Sequence, residues 1–163
     1  MTSTQGISGT GDFDFFVGEW DSVQRRRKAS LADCDEWYAF DAVTRCWPIF
    51  GGAGNIDEID CPSQGFSGLS VRLLDQQTGD WSIFWATSRT GVLSLPPVTG
   101  RFEDGVGRFY SDEVLDGRAI RVRYTWSDIT EDSARWAQAF SPDEGQTWED
   151  NWTAEFTRRP ARG

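Results

Sequence analysis

Histidine does not occur in the 163 residues. Its absence removes Ser-His-Asp hydrolysis, His-ligated zinc or iron, and haem held through an imidazole. Lysine is almost missing too: of 16 basic residues all but Lys28 are arginine. Cysteine is scarce and odd in number, and Cys34, Cys46 and Cys61 form no C-x-x-C pair. That spacing gives neither a disulfide framework nor a thiolate metal site. Positive charge is in deficit, with a formal net charge of −10, a balance unsuited to nucleic-acid phosphates or to an anionic membrane surface. No apolar run approaches membrane-spanning length. The start, Met1-Thr-Ser-Thr-Gln-Gly6, has neither the basic nor the apolar region of a signal peptide. These absences predict a cytoplasmic protein with free thiols, no metal, no cofactor, and no nucleic-acid or membrane partner. They leave homodimerisation open.

What the chain has in excess is aromatic rings, with 9 Trp, 11 Phe and 3 Tyr. Large flat side chains suit sheet faces and apolar cavities better than tight helical bundles. Here they either fill an interior or stack on a ligand, and composition does not choose between the two. The length is that of one domain able to bury about two-thirds of its unfolded surface.

Residues 1–10 are polar and rich in Gly, Ser and Thr, and read as a flexible tail, as do 160–163; a single domain spans 11–159. Phe13, Phe16 and Val17 recur at helical spacing after Asp12, a candidate N-cap, which predicts one short N-terminal turn. Gly18-Glu19-Trp20 then opens a first strand, about 20–29, that carries Arg25-Arg26-Arg27-Lys28. Such a run marks a solvated strand or a rim, or else an anion site at a barrel mouth. Further strands are expected over 37–47 (ended by Pro48), 55–59, 66–75, 81–87, 98–103 (after a corner at Leu95-Pro96-Pro97), 107–114, 118–127, 134–141 and 147–158. Short turns join them, including Glu103-Asp-Gly, Leu115-Asp-Gly and Asp143-Glu-Gly. About ten strands in a meander with short loops predict an all-β fold, an antiparallel up-and-down barrel whose closure removes exposed edges.

The most specific string is Ser141-Pro-Asp-Glu-Gly-Gln-Thr-Trp148, which fits the S-x-D-x-G-x-T-W "Asp-box". Its meaning is structural: Asp143 can accept from loop amides, Gly145 can take φ > 0, and Trp148 packs beneath. Asp112 and Glu113 are adjacent and point to opposite faces of a strand, so they form no acid/base dyad. Ile120, Val122, Tyr124 and Trp126 share one strand face, with Arg121 and Arg123 on the other. Arg72 or Arg123 is a candidate fixed cation for a carboxylate, enolate or phenolate. Trp136, Gln138 and Phe140 share a face, which makes Gln138 a candidate polar contact among rings. Trp85, Trp126, Trp136 and Trp152 are candidate cavity walls.

Phe15-Phe-Val-Gly-Glu-Trp20, Gly54-Asn-Ile-Asp57, Pro97-Val-Thr-Gly-Arg-Phe-Glu-Asp-Gly-Val-Gly107 and Arg135-Trp-Ala-Gln-Ala-Phe-Ser141 together resemble a family of small actinobacterial proteins. Its fold is a calycin-like, lipocalin-type barrel. The resemblance spans about 12–159 and implies that fold; it assigns no activity. Lipocalin-type barrels begin with a Gly-x-Trp whose Trp plugs the closed end under an Arg from the last strand. Gly18-Glu-Trp20 and Arg158-Arg159 match this pattern. Nitrobindin-like barrels hold haem through a His that this chain lacks. Small bacterial barrels that act as cofactor-free cyclases offer an analogy of architecture alone.

The first functional reading is therefore the binding of a small, largely apolar or aromatic molecule in the barrel. The second is a cofactor-independent cyclase or isomerase acting on such a molecule, with Arg123, Tyr124 and Glu113 as catalytic candidates. A third is a protein-interaction module using the acidic outer face, which a small, filled interior would favour.

Overall fold

A computed structural model describes residues 9–160, so the expected tails fall almost wholly outside the described residues. The ten strands are β1 (Gly18–Arg27), β2 (Trp37–Ile49), β3 (Gly54–Cys61), β4 (Phe66–Leu74), β5 (Trp81–Thr87), β6 (Ser94–Glu103), β7 (Val106–Leu115), β8 (Arg118–Ser127), β9 (Ser133–Ser141) and β10 (Glu149–Arg158). Each pairs antiparallel with its neighbours in sequence, and β1 pairs with β10 to close the barrel. The register of that closure runs from Trp20 opposite Arg158 to Arg26 opposite Trp152. Among the described residues the helical elements are three single 3-10 turns, Asp14–Phe16, Phe50–Gly52 and Pro62–Gln64. Among the described residues no helix is long and apolar enough to cross a membrane.

Three local expectations are corrected. The N-terminal turn starts at Asp14, with Phe13 rather than Asp12 as N-cap and no side-chain cap bond. Strand β2 runs through Pro48 to Ile49. Strand β1 begins only at Gly18, opposite Cys46, so beyond Cys46 the strand has one neighbour and tolerates a residue lacking an N–H. Strand β6 begins at Ser94, before the proline pair, because the β5 pairing jumps from Ile83–Val98 to Trp85–Ser94 and leaves 95–97 bulged out of the ladder.

Alternation decides which side chains face inward. In β8 the apolar set is inside: Ile120, Val122 and Trp126 are buried. Strand β4 does the reverse. Ser70 and Arg72 are buried, while Leu69, Val71 and Leu73 lie on the outer face. The interior is thus not uniformly apolar, and its polar part comes mainly from β1, β3 and β4.

One end of the barrel is sealed by the N-terminal turn. Phe13 and Phe16 are buried and pack with Trp81, Phe109, Trp126 and Phe156, the ring centroids 4.8 to 6.4 Å apart. Trp20 stacks on Phe16 at 5.4 Å and donates its indole N–H to the Phe16 carbonyl at 2.9 Å. The Arg158 guanidinium lies 4.2 Å from the Trp20 ring centre and donates to the carbonyls of Phe15 (2.5 Å) and Val17 (2.6 Å). Gly18 has φ +125°, and a Cβ there would sit 2.6 Å from Arg158 Nη1. Both the backbone and the space demand glycine.

At the other end the β9–β10 loop is the Asp-box. The Asp143 carboxylate accepts from Ser141 Oγ (2.8 Å), Thr147 N–H (2.8 Å) and Thr147 Oγ1 (2.6 Å). Gly145 has φ +94°, and Trp148 packs against Tyr110 at 6.1 Å.

Gly18→Ala should lower stability by about 2 kcal/mol or more, from positive φ and the contact with Arg158; the urea midpoint measures it. The bonds from Thr147 and Ser141 hold Asp143 down at about 2. Its folded value lies below its unfolded one, so its stabilising contribution is full above the unfolded value and drains as pH falls towards 2. The gap in urea midpoint between the native chain and Asp143→Asn should therefore shrink from about pH 6 to about pH 3. A constant gap would rule out that linkage.

Candidate functional site

Above the aromatic plug lies a cavity with a polar floor. Arg72 projects inward from β4 and is 4% exposed; Asp57, from β3, is 3% exposed. Arg72 Nη1 is 2.6 Å from Asp57 Oδ2 and donates to Asn55 Oδ1 at 3.0 Å. Asn55 in turn donates Nδ2 to the Phe13 carbonyl at 3.5 Å, tying the floor to the plug. The pairing register explains the cluster. Asn55 stands opposite Arg72 and Asp57 opposite Ser70, so Asp57 and Arg72 are diagonal neighbours on one face. Beneath the guanidinium are the rings of Phe13, Phe16 and Trp126, at 5.2, 5.3 and 5.8 Å. A cation over ring faces and against a carboxylate is held from both sides.

Burial pushes the Asp57 carboxyl above its usual range and the adjacent guanidinium opposes this. At 2.6 Å from a permanently charged arginine, Asp57 is the counter-ion. Three buried polar atoms of the lining residues have no hydrogen-bond partner: Arg72 Nε, Thr44 Oγ1 and Trp126 Nε1.

The walls are a chain of edge-to-face rings. Trp85 meets Trp152 at 6.2 Å, Trp152 meets Trp136 at 5.6 Å, and Trp136 meets Tyr124 at 5.2 Å. An amide side chain fixes the orientation of Trp152, which donates its indole N–H to Gln24 Oε1 (2.8 Å), and Gln24 donates to Ser22 Oγ (2.8 Å). Gln138 donates to Asn151 Oδ1 at 2.8 Å; Asn151 lies at the β10 irregularity between Asp150 and Trp152. Gly68 makes room for Trp85, since a Cβ there would come within 2.1 Å of the indole. Burial, and then Glu113, push the Tyr124 phenol up, so it stays protonated and available as a donor.

The cavity volume is about 80 Å³. In the measure where one water takes about 10–15 Å³, that is room for roughly six waters, or about 180 Å³ of liquid. One or two fused rings fill such a space.

Of the expected residues, Arg72, Trp85, Tyr124, Trp126, Trp136, Gln138 and Trp152 line this cavity. Arg123 does not. The inward parity of Val122 and Trp126 turns it outward, where its guanidinium lies 4.3 Å over Trp148. The expectation of Arg123 as an interior cation is thereby corrected, and its candidacy as a catalytic group falls with it. Glu113 is half-buried on the inward face of β7, where it accepts from Ser111 Oγ at 2.9 Å and acts on the Tyr124 phenol without itself lining the cavity. Sequence reasoning missed Asp57, Thr44 and Gln24, all of which line the cavity. The signal for Asp57 was its parity with Ile59 on β3. Burial pushes the Cys46 thiol up to about 12 and the Cys61 thiol to about 11, which disfavours the thiolate at both.

Asp57→Asn should cost about 3–5 kcal/mol by leaving Arg72 unpaired in the interior. The double change Asp57→Leu with Arg72→Met should recover most of that loss. Urea unfolding of the two single variants and the double closes the cycle, and simple additivity would mean the ions do not act as a pair.

No family model and no curated protein matches the chain. Among solved structures it is similar to the S-type phycobiliprotein lyase CPES from Guillardia theta, with a TM-score of 0.55 and 11% identity over 92% of each chain. At that identity the likeness establishes the barrel fold, independently of the sequence motifs.

Proposed function

We propose that this barrel binds a small, largely apolar or aromatic molecule between the Trp85–Trp152–Trp136–Tyr124 wall and the Arg72–Asp57 floor. The observation that carries the reading is an apolar, ring-lined cavity that contains orphaned polar atoms, Arg72 Nε and Thr44 Oγ1. Small-molecule sites combine apolar walls with a few fixed polar groups in this way. A core evolved only for stability would pair or omit such atoms. The phycobiliprotein lyase of similar fold is a barrel named for an enzymatic activity, and it leaves the substrate of this chain open.

The alternative of a cofactor-independent cyclase or isomerase has one observation in its favour. Arg72 and the protonated Tyr124 face the same cavity and could stabilise developing negative charge there. Binder and enzyme separate on whether the molecule leaves unchanged.

Native mass spectrometry of the protein purified from its own host should show a discrete added mass that is lost on denaturation. Ser70→Leu fills the cavity with one side chain and should abolish both that mass and saturable Trp quenching by added ligand, with the far-UV spectrum retained. Binding that survives Ser70→Leu would place the ligand elsewhere.

A further inference from the structure

The cavity floor carries a full positive and a full negative charge that cancel each other. A ligand anion driven down to Arg72 would have to displace Asp57 or sit beside it, uncompensated and out of water, an expensive arrangement. The deep end is therefore suited to an uncharged group.

The mouth is different. Arg26 belongs to the inward set of β1, two residues beyond Gln24, which lines the cavity. It stands opposite Trp152 in the β1–β10 ladder, and its guanidinium lies 4.3 Å over the Trp152 ring, itself a cavity wall. Arg26 is half-buried, and among the described residues no carboxylate pairs with it. Of the rest of the basic run, Arg27 donates to the Asp150 carbonyl and pairs with Asp35, Lys28 pairs with Glu36, and Arg25 points outward from β1, away from the cavity. In a chain of net charge −10 an unpaired, ring-stacked cation beside a cavity is a site awaiting an anion.

We infer that the ligand is an amphipathic aromatic acid of one or two rings, bound with its uncharged end on the Arg72–Asp57 floor and its anionic group at Arg26. The inference rests on the reading of the cavity as a binding site. It adds the ligand's charge, size and orientation. Loss of solvent around a partly buried guanidinium makes its bond to a carboxylate stronger than a surface ion pair, while Trp152 keeps the guanidinium plane fixed along the cavity wall.

The test uses three probes of one skeleton, naphthylacetate, naphthylacetamide and naphthylethylammonium, titrated calorimetrically into the full chain. Naphthylacetate should bind tightest, roughly tenfold better than the ammonium. Arg26→Met should weaken naphthylacetate roughly tenfold and leave naphthylacetamide within about twofold, and Arg26→Glu should make the ammonium the preferred probe. The unchanged affinity for the amide reports an intact cavity in both variants. Arg89→Met is the control, because Arg89 lies 4.7 Å over Phe66 and is tied to the Gln64 carbonyl rather than to the Trp152 wall. It should alter none of the affinities. A preference for the acetamide in the native chain, or an acetate affinity indifferent to both Arg26 variants, overturns the inference and leaves the cavity a binding site for uncharged molecules. If none of the three binds saturably, the cavity reading itself falls and takes the inference with it.

Discussion

The closed end depends on one guanidinium. Arg158 carries its charge onto the Trp20 ring and at the same time donates to two carbonyls of the preceding turn, those of Phe15 and Val17. A ten-strand barrel has no edges, yet its end must still be filled, and here the filling is a short segment of tight turns that lies outside the ladder of strands. Pinning that segment from the last strand sets Phe13 and Phe16 in place. Those rings are the underside of Arg72. Without them the floor pair would stand in water, and the cavity would be an open tube.

Polarity inside this barrel is placed rather than scattered. The ion pair sits at the bottom, where it is tied to the plug through Asn55, and higher up the Trp152 indole is fixed by Gln24 while Gln138 bonds to Asn151. The charges below cancel, so apolar surface can be buried next to them without an unbalanced field. Gln24 holds the Trp152 indole, and Gly68 makes the room that Trp85 needs. The cavity is thereby a shape set by stiff parts, as small-molecule sites usually are.

The strands were legible because β-turn chemistry and alternation are local signals: the turns at Asp104-Gly105 and Asp116-Gly117 are real, and all ten expected strands are present. Gly18, Trp20 and Arg158 were legible because one steric requirement links all three. What could not be read was parity. Strand β4 alternates as cleanly as β8, yet its Leu69, Val71 and Leu73 face out and its Ser70 and Arg72 face in. Alternation gives two faces and no label, and the label comes from a neighbour in another strand. Asp57 is intelligible only beside Arg72, a relation fixed by register across fifteen residues of chain. Arg123 failed for the same reason in reverse, as an arginine assumed to be useful inside when its strand had already committed its apolar face there.

The sealing of one end has a consequence for how the barrel sits among its surroundings. Gly9 packs beside Leu74 and Gly79, and the Arg159 amide bonds to the Glu19 carbonyl, so both ends of the described chain leave from the plugged side. The loops at the mouth are all internal connections. The described chain thus enters and leaves at its base, like a cup held from below, and every connection at the rim is a loop between two strands.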